Sequence, residues 1–201
     1  TGACEHALVV GGDVMSSIID YTDRTTCVLF GDGAGAVVLS PAQPGEAAII
    51  DFLNLTDGTG GPSLCMPAGG SKRPASHETV DQRLHFVKQD GSAVFKFAVR
   101  MTEEISRRIL DRNHLAAADL DLFVSHQANR RIIDAAASRL GLSEDKVIVN
   151  LERYGNTTAG TIPLALADAR RQGRLKKGDL VLLASVGAGF TVGSVLLRWG
   201  L

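Results

Sequence analysis

The sequence predicts an α/β fold in which helices pack on a sheet. Short apolar runs, such as residues 7–10, 120–125 and 180–185, alternate with segments of helical period along most of the chain. That alternation is typical of α/β proteins. With 201 residues, the chain can bury roughly 70% of the surface that it exposes when unfolded, which is enough for one large core or two small ones.

Composition excludes several classes of function. Hydrophobic residues make up 45% of the chain and charged residues 21%, which is typical of a folded globular protein. The formal net charge is -1, whereas general nucleic-acid binding needs a concentrated basic surface. The longest apolar runs fall far short of the roughly 20 residues that span a bilayer. We therefore predict neither a nucleic-acid partner nor a membrane span.

The cysteines indicate a reducing compartment. Cys4, Cys27 and Cys65 are odd in number and show neither a CxxC motif nor Cys/His metal spacing. This pattern predicts a cytoplasmic protein without a metal site. The chain begins Thr-Gly-Ala, without an initiator methionine or a signal-like leader, so we expect a further segment in front of it.

The first part of the chain reads as strands separated by glycine. Residues 7–10 predict a buried strand, and residues 47–55 predict another. Residues 28–30 and 36–39 flank the run Gly31–Gly35, which suggests two strands joined or interrupted at a tight bend. This run has neither the Lys-Ser/Thr of a P-loop nor a full GxGxxG pattern, so nucleotide binding is not favoured. Close approach of backbone between layers is the preferred explanation.

Residues 56–87 are rich in Gly, Pro, Ser and charge and have no sustained period. We interpret them as a long loop or flap, since loops of that length are usually functional or mobile, although an ordinary disordered insertion is the alternative. An amphipathic helix is then predicted from Ser92, with Glu and Arg four residues apart on its outer face. Its apolar stripe is Val94, Ala98, Met101, Ile105 and Ile109.

Three strands with following helices or turns make up the rest of the chain. Glycine is expected just past a helix because it accepts a left-handed backbone at no steric cost. The strands are predicted at 120–125, 147–151 and 180–185, the helices at about 128–140 and 158–172 with Gly141 and Gly173 as terminators, and a last strand near 193–199.

Polar groups follow each of these strands. His126 follows the first, Asn156 follows the second, and the turn Gly187–Gly189 follows the third. Singly, such a histidine is more often structural and a Gly-Asn pair more often a turn. In open α/β sheets, however, ligands bind beyond the carboxyl ends of strands. If the strands are neighbours, the groups converge as donors that stabilise negative charge on a carbonyl oxygen, which indicates enolate or oxyanion chemistry.

Four motifs in order carry a family resemblance. They are Phe30–Ala36, His126–Asn129, Gly155–Thr157 and Gly187–Phe190. The chain resembles beta-ketoacyl carrier-protein synthase III, a condensing enzyme of the thiolase superfamily. The resemblance implies an α/β, thiolase-like layered αβαβα fold, with residues 1–45 ending the first half and residues 46–201 forming the second half, including the flap at about 56–87.

The resemblance also implies an activity and its residues. An acyl-CoA primer acylates a cysteine, and malonyl carrier protein then loses carbon dioxide to give an enolate that attacks the acyl group. His126 and Asn156 match the pair that hydrogen-bonds the malonyl thioester oxygen. The backbone amide of Ala188 matches a position that receives the tetrahedral oxyanion. CoA and phosphopantetheine thioesters are substrates, and no cofactor is implied.

Binding positions follow from the same resemblance. Arg24 matches a position near the CoA adenine, and Gly91, Ser92 and Asn129 match positions along the pantetheine channel. Lys96 and Arg131 match basic positions that dock the acidic acyl carrier protein, although exposed basic residues on helices are usually only solubilising. A homodimer is also implied.

The chain departs from the family pattern in two ways. Val186 stands where many relatives carry an aromatic residue, and the nucleophilic cysteine is expected ahead of Thr1. Cys4, Cys27 and Cys65 do not occupy its context, and burial or chance exposure explains each better. We therefore expect this chain alone to be inactive in condensation and to require the missing amino-terminal segment.

Two other functions stay open at this point. One is a polyketide or alkylquinolone-type synthase of the same superfamily, since primer length depends on the pocket. The other is a non-catalytic subunit that binds carrier protein; the retention of both His126 and Asn156 speaks against it. Fold alone does not decide between them.

Overall fold

The computed structural model describes residues 3–42 and 48–201. Within them a two-stranded sheet, a helix, a four-stranded sheet and a pair of helices lie in successive layers. The predicted α/β layered class is confirmed, with four layers of the expected αβαβα order present in the described residues. The predicted boundary between the two halves, near residue 45, lies outside them, as does the start of the strand predicted from residue 47.

The first sheet pairs two antiparallel strands, β1 (Ala7–Asp13) and β2 (Gly33–Leu39). The bend predicted at Gly31–Gly35 is wrong, because β2 already begins at Gly33. The predicted strand 28–30 is also wrong, since it is a turn whose last residue, Phe30, forms a single parallel bridge with Asn156.

Close packing explains the glycines of this segment, as predicted. A Cβ atom at Gly33 would lie 2.7 Å from Cγ2 of Thr157, and one at Gly35 would lie 2.7 Å from Cβ of Pro163. A Cβ atom at Gly31 would lie 2.2 Å from the carbonyl oxygen of Tyr154. Any side chain here would push the first sheet away from the segment that carries Asn156.

The outer face of this sheet is apolar and open in the described part of the chain. Leu8, Val10 and Val38 are 67%, 63% and 68% exposed. The prediction that residues 7–10 form a buried strand is therefore wrong as to burial. The strand forms, but only its inner face packs, against the 3₁₀ turn Thr158–Gly160.

The second sheet has four strands, which lie side by side in the order β3 (Ile49–Thr56), β8 (Thr191–Arg198), β7 (Leu180–Gly187) and β6 (Leu122–Ser125). In this sheet β6 and β7 are parallel and the other pairs are antiparallel. The strand predicted at 147–151 is wrong. Val147 makes one parallel bridge to Phe123, and the short helix α4 (Leu151–Tyr154) begins directly after Asn150.

Helices cover both faces of the second sheet. On one face lie α2 (Gly91–Arg112) and α3 (Arg130–Leu140), and on the other α5 (Thr161–Arg171), which also contacts β2. Both predicted terminators are confirmed, since Gly141 has a φ of 73° and Gly173 a φ of 69°. None of the described helices is long and apolar enough to cross a membrane.

The core explains why β6 reads as an unbroken apolar run. Phe123 packs with Ile109 and Ile133 on the side of α2 and α3, while Leu122 and Val124 pack with α5. A strand covered on both faces has no polar side to alternate with. The predicted stripe of α2 is confirmed, with Ala98, Met101, Ile105 and Ile109 buried and Val94 partly so, and its outer ion pairs form at Glu103–Arg107 and Glu104–Arg108.

The predicted flap is more ordered than its composition suggests. It holds a 3₁₀ turn (Gly58–Ser63), β4 (Leu64–Cys65) and α1 (His77–Asp81), and β4 pairs with β5 (Lys88–Gln89). The pairing of β4 with β5 joins residues far apart in sequence, so no local hydrophobic period in the flap could predict it.

An ion pair with a buried carboxylate anchors the flap. Arg83 donates to the carboxylate of Asp20, with Nη2 to Oδ1 at 2.5 Å and Nε to Oδ2 at 3.0 Å. These bonds hold the pKa of Asp20 well below its usual range. Because Asp20 is only 3% exposed, the pair ties the flap firmly to the segment that follows β1.

Candidate active site

One cavity of about 690 Å³ lies at the carboxyl ends of β6 and β7. His126, Asn156 and Ala188 all line it, so the three groups predicted to converge do so. The flap and the first sheet complete its walls. Its apolar lining, which the sequence did not single out, includes Met15, Ile18, Leu64, Met66, Val87 and Phe95.

His126 directly follows β6, where the strand leaves the sheet. Its backbone N–H donates to the carbonyl of Ala184 at 2.8 Å, which continues the β6–β7 pairing. Its Nδ1 lies 2.7 Å from Oγ1 of Thr161. Desolvation lowers the pKa of His126 from 6.5 to about 4. The imidazole is therefore neutral near pH 7.

Asn156 is buried and held from both sides. Its backbone N–H donates to Leu29 at 3.0 Å, and its carbonyl accepts from the N–H of Gly31 at 2.9 Å. Its side-chain Oδ1 accepts the N–H of Thr158 at 2.9 Å. With the oxygen so used, the side-chain NH₂ group is free to donate to a ligand.

Ala188 lies in the turn between β7 and β8. Its carbonyl accepts the hydroxyl of Thr191 at 3.1 Å. Phe190, next along, stacks on Phe97 with ring centroids 4.1 Å apart, and Gly60 of the flap leaves room for this ring. The turn is thus clamped between α2 and the flap, which presents the backbone at Ala188 to the cavity.

A buried polar network behind the site was missed by sequence reasoning. Gln127, 1% exposed, donates to the carbonyls of Ser125 and Ile148, and its oxygen accepts the N–H of Asn150. Asn150 in turn donates to Asp168 at 2.9 Å. In the sequence, this network is indicated only by the amide side chains of Gln127 and Asn150, which stand beside apolar segments.

Asp168 closes this network on α5. Burial raises the pKa of the carboxyl, but hydrogen bonds from Asn150 and Arg171 outweigh it, so that the pKa lies below its usual range. The network joins the residue beside His126 to the helix that leads into Asn156. It therefore helps to set the relative position of the two catalytic candidates.

The residues predicted for a pantetheine channel divide into two groups. Gly91 and Asn129 line the cavity, whereas Ser92 lies exposed in the first turn of α2 and does not line it. Asn129 also caps α3, since its Oδ1 accepts the N–H of Arg131 at 2.9 Å.

The predicted basic residues lie outside the cavity. Arg24 is exposed in the turn beside Thr25, which lines the cavity. Arg131 lies with its guanidinium 5.5 Å from the ring of Phe95, another lining residue, and Lys96 is the next residue on α2. Arg131 and Lys96 are therefore close to the wall of the cavity but face solvent.

Val186 and one of the three cysteines lie at the site. Val186 lines the cavity and packs against Ala98, Val99 and Ile132. Cys65 lines the cavity, Cys27 is partly buried and Cys4 is exposed. In the described part of the chain, no cluster of histidine, cysteine or carboxylate side chains suits a metal ion.

The layered fold, with a cavity lined by imidazole, carboxamide and backbone amides at strand ends, defines a protein of the thiolase-like class. The crystal structure of 3-oxoacyl-(acyl carrier protein) synthase III from Pseudomonas aeruginosa matches with a TM-score of 0.89 and 42% identity, over 100% of this chain and 60% of that chain. A priming beta-ketosynthase of a polyketide pathway matches with a TM-score of 0.83 and 35% identity, over 98% and 58%.

Sequence comparison gives the particular family. Residues 110–199 match the family "3-Oxoacyl-[acyl-carrier-protein (ACP)] synthase III C terminal", and residues 1–58 match "3-Oxoacyl-[acyl-carrier-protein (ACP)] synthase III". The beta-ketoacyl-[acyl-carrier-protein] synthase III of Solibacter usitatus is 60% identical over 200 residues, 98% of this chain and 60% of that protein. The chain belongs to the beta-ketoacyl-[acyl-carrier-protein] synthase III family. It spans about 60% of the length of the curated relatives it matches.

Proposed function

We propose that this chain is the larger part of a beta-ketoacyl-[acyl-carrier-protein] synthase III, which joins an acyl-CoA primer to malonyl carrier protein and so initiates fatty acid synthesis. The observation that carries the proposal is one cavity lined by His126, Asn156 and Ala188. Family membership supports the same activity.

In this mechanism the acyl group moves from CoA to a cysteine thiolate, and CoA leaves as its thiolate. The malonyl thioester then loses carbon dioxide, and the electron pair of the broken C–C bond becomes an enolate. His126 and Asn156 stabilise the enolate oxygen by donating hydrogen bonds, which a neutral imidazole and a carboxamide NH₂ can do. The enolate carbon attacks the acyl carbonyl, the Ala188 amide stabilises the tetrahedral oxyanion, and the cysteine thiolate departs.

We place the nucleophilic cysteine in a segment ahead of Thr1 in the complete protein. The relatives are longer than this chain, and none of its three cysteines stands in the expected context. The open apolar face formed by Leu8, Val10 and Val38 supports further chain packing on the first sheet. This chain alone would then bind thioesters without completing condensation.

The remaining roles belong to the same proposal. Arg24 contacts the CoA adenine, while Gly91 and Asn129, which line the cavity, border the pantetheine arm. Lys96 and Arg131 dock the acidic carrier protein, and their exposed position beside the cavity wall supports this. The protein works as a cytoplasmic homodimer and needs no cofactor beyond its thioester substrates.

A second candidate is the priming of a polyketide pathway. The 35% identity to a priming beta-ketosynthase favours it as an alternative. Acyl-CoAs of graded length, offered to the complete protein, separate the two functions. Use of acetyl-CoA supports fatty acid initiation, whereas its refusal in favour of longer primers supports the polyketide function. Carrier-protein binding without any product would instead indicate a non-catalytic subunit.

The central test uses the complete protein with acetyl-CoA and malonyl carrier protein. We expect His126→Ala and Asn156→Ala each to lower kcat by about 10²- to 10³-fold, because each removes one donor to the developing charge. His77→Ala, an exposed position on α1, is the matched control and should keep full activity. Normal turnover in both site variants would refute the proposal.

A further inference from the structure

Thr158 holds a backbone conformation that its side chain disfavours. Its φ is 48°, in the left-handed region that β-branched residues rarely occupy. The residue follows Asn156 and Thr157 in the turn that faces the cavity. Such a conformation persists only where surrounding contacts impose it.

Asp13, the last residue of β1, supplies the main contact. Its Oδ2 accepts the hydroxyl of Thr158 and also the backbone N–H of Ala159, the latter at 3.2 Å. Gly11 makes this approach possible, since a Cβ atom there would lie 2.4 Å from the carbonyl oxygen of Ala159. The first sheet is thus hydrogen-bonded, through Asp13, to the turn in the neighbouring layer.

The strained residue is connected to both donors of the proposed site. Its N–H donates to Oδ1 of Asn156 at 2.9 Å, which turns the NH₂ group of that side chain away from the backbone. Oγ1 of Thr161 lies 3.0 Å from the carbonyl oxygen of Thr158 and 2.7 Å from Nδ1 of His126, so its hydroxyl proton is shared between the two acceptors and the neutral imidazole carries its own proton on Nε2. One residue therefore orients the carboxamide directly and the imidazole through one hydroxyl.

We propose that Asp13 and Thr158 form a positioning pair that aims both the Asn156 carboxamide and the His126 imidazole into the cavity. Neither residue contacts the reacting atoms in this scheme. Their effect on turnover rests on the proposed function, whereas their effect on side-chain orientation does not.

The test compares Thr158→Val with Thr158→Ser in the complete protein. Valine keeps the branched shape and the backbone N–H but loses the hydroxyl that binds Asp13, while serine keeps that hydroxyl. We expect Thr158→Val to lower kcat by up to about 100-fold, because misplacement of catalytic groups has costs of that size. The KM for acyl-CoA should stay within about 3-fold of the wild-type value, and Thr158→Ser should keep most of the activity.

Asp13→Ala should reproduce the valine result, and Asp13→Asn should recover part of the loss because its amide oxygen still accepts. Undiminished turnover in Thr158→Val, or an equal loss in Thr158→Ser, overturns the proposal. The side-chain NH₂ resonances of Asn156 give a readout that does not need turnover. A shift in Thr158→Val that is absent in Thr158→Ser supports the pair even in a protein without condensation activity, and unchanged resonances in both refute it.

Discussion

At the scale of single residues, the site depends on groups that stay neutral and oriented. His126 combines a lowered pKa with a hydrogen bond between its Nδ1 and the hydroxyl of Thr161. Asn156 uses its carbonyl oxygen internally and keeps its NH₂ group for a ligand. A charged imidazole would bind an anion as well, but neutral donors strengthen their interaction mainly as charge develops on the ligand, which is what accelerates a reaction.

The lowered pKa of His126 predicts an unusual titration. We expect the imidazole to take up its proton near pH 4, not near the ordinary 6.5, because burial disfavours the charged form. The ring C–H resonance of His126, followed by NMR against pH, measures this directly. A midpoint near 6.5 would contradict the burial that the cavity wall implies.

The same shift has a consequence for stability. As the pH falls below 6.5, the unfolded chain binds a proton at His126 before the folded chain does, so the free energy of unfolding declines between about pH 6.5 and pH 4. Above pH 6.5 the imidazole is neutral in both states, so the neutral His126 makes its full contribution to the free energy of unfolding. His126→Gln should flatten this part of a urea-unfolding profile measured against pH, and an unchanged slope would argue against the assignment.

At the scale of elements, the glycines of β2 are explained by the residues that pack against this strand. Glycine is a poor strand residue, and its clustering at 31–35 predicts a bend from local rules. The structure extends this run as a strand instead, because Thr157 and Pro163 pack directly onto its bare backbone. The glycine content of β2 thus reflects its close packing against the neighbouring layer and not the intrinsic strand propensity of its residues.

This packing predicts a position-specific cost. Gly35→Ala should lower the free energy of unfolding by about 1–3 kcal/mol, since the new methyl group would lie 2.7 Å from Cβ of Pro163 and must displace it. Gly70→Ala is the control, because no atom lies within 4 Å of a Cβ built there. Urea unfolding of both variants decides the matter, and equal stabilities would show that the layers can separate at little cost.

At the scale of the whole molecule, the basic residues beside the cavity bear on the proposed partner. Arg131 and Lys96 face solvent next to a wall residue, Phe95, where an acidic carrier protein delivering a thioester would dock. Charges at the rim of an interface act mostly on encounter and weaken with salt.

We therefore expect Arg131→Glu in the complete protein to raise the KM for malonyl carrier protein about 10-fold at low salt, with the KM for acyl-CoA nearly unchanged. Arg108→Glu, on the exposed face of α2 where Arg108 pairs with Glu104, should leave both constants unchanged. Steady-state kinetics at two salt concentrations provides the measurement. Equal effects on both substrates, or on neither, would remove Arg131 from the docking surface.

The sequence by itself determined the α/β class, the course of α2, α3 and α5, and the convergence of His126, Asn156 and Ala188 on one cavity. Periodicity, helix terminators and ordered motifs are local properties of a chain, so they can be recognised without the fold. Only the tertiary structure decided that β2 extends through its glycines and that a short helix follows Asn150. It also decided which hydrogen bonds Gln127, Asp168, Asp13 and Thr158 form around the segments that carry His126 and Asn156. These features depend on hydrogen bonds and contacts between residues far apart in sequence, such as Asp13 with Thr158, and no pattern within either segment specifies such a partner.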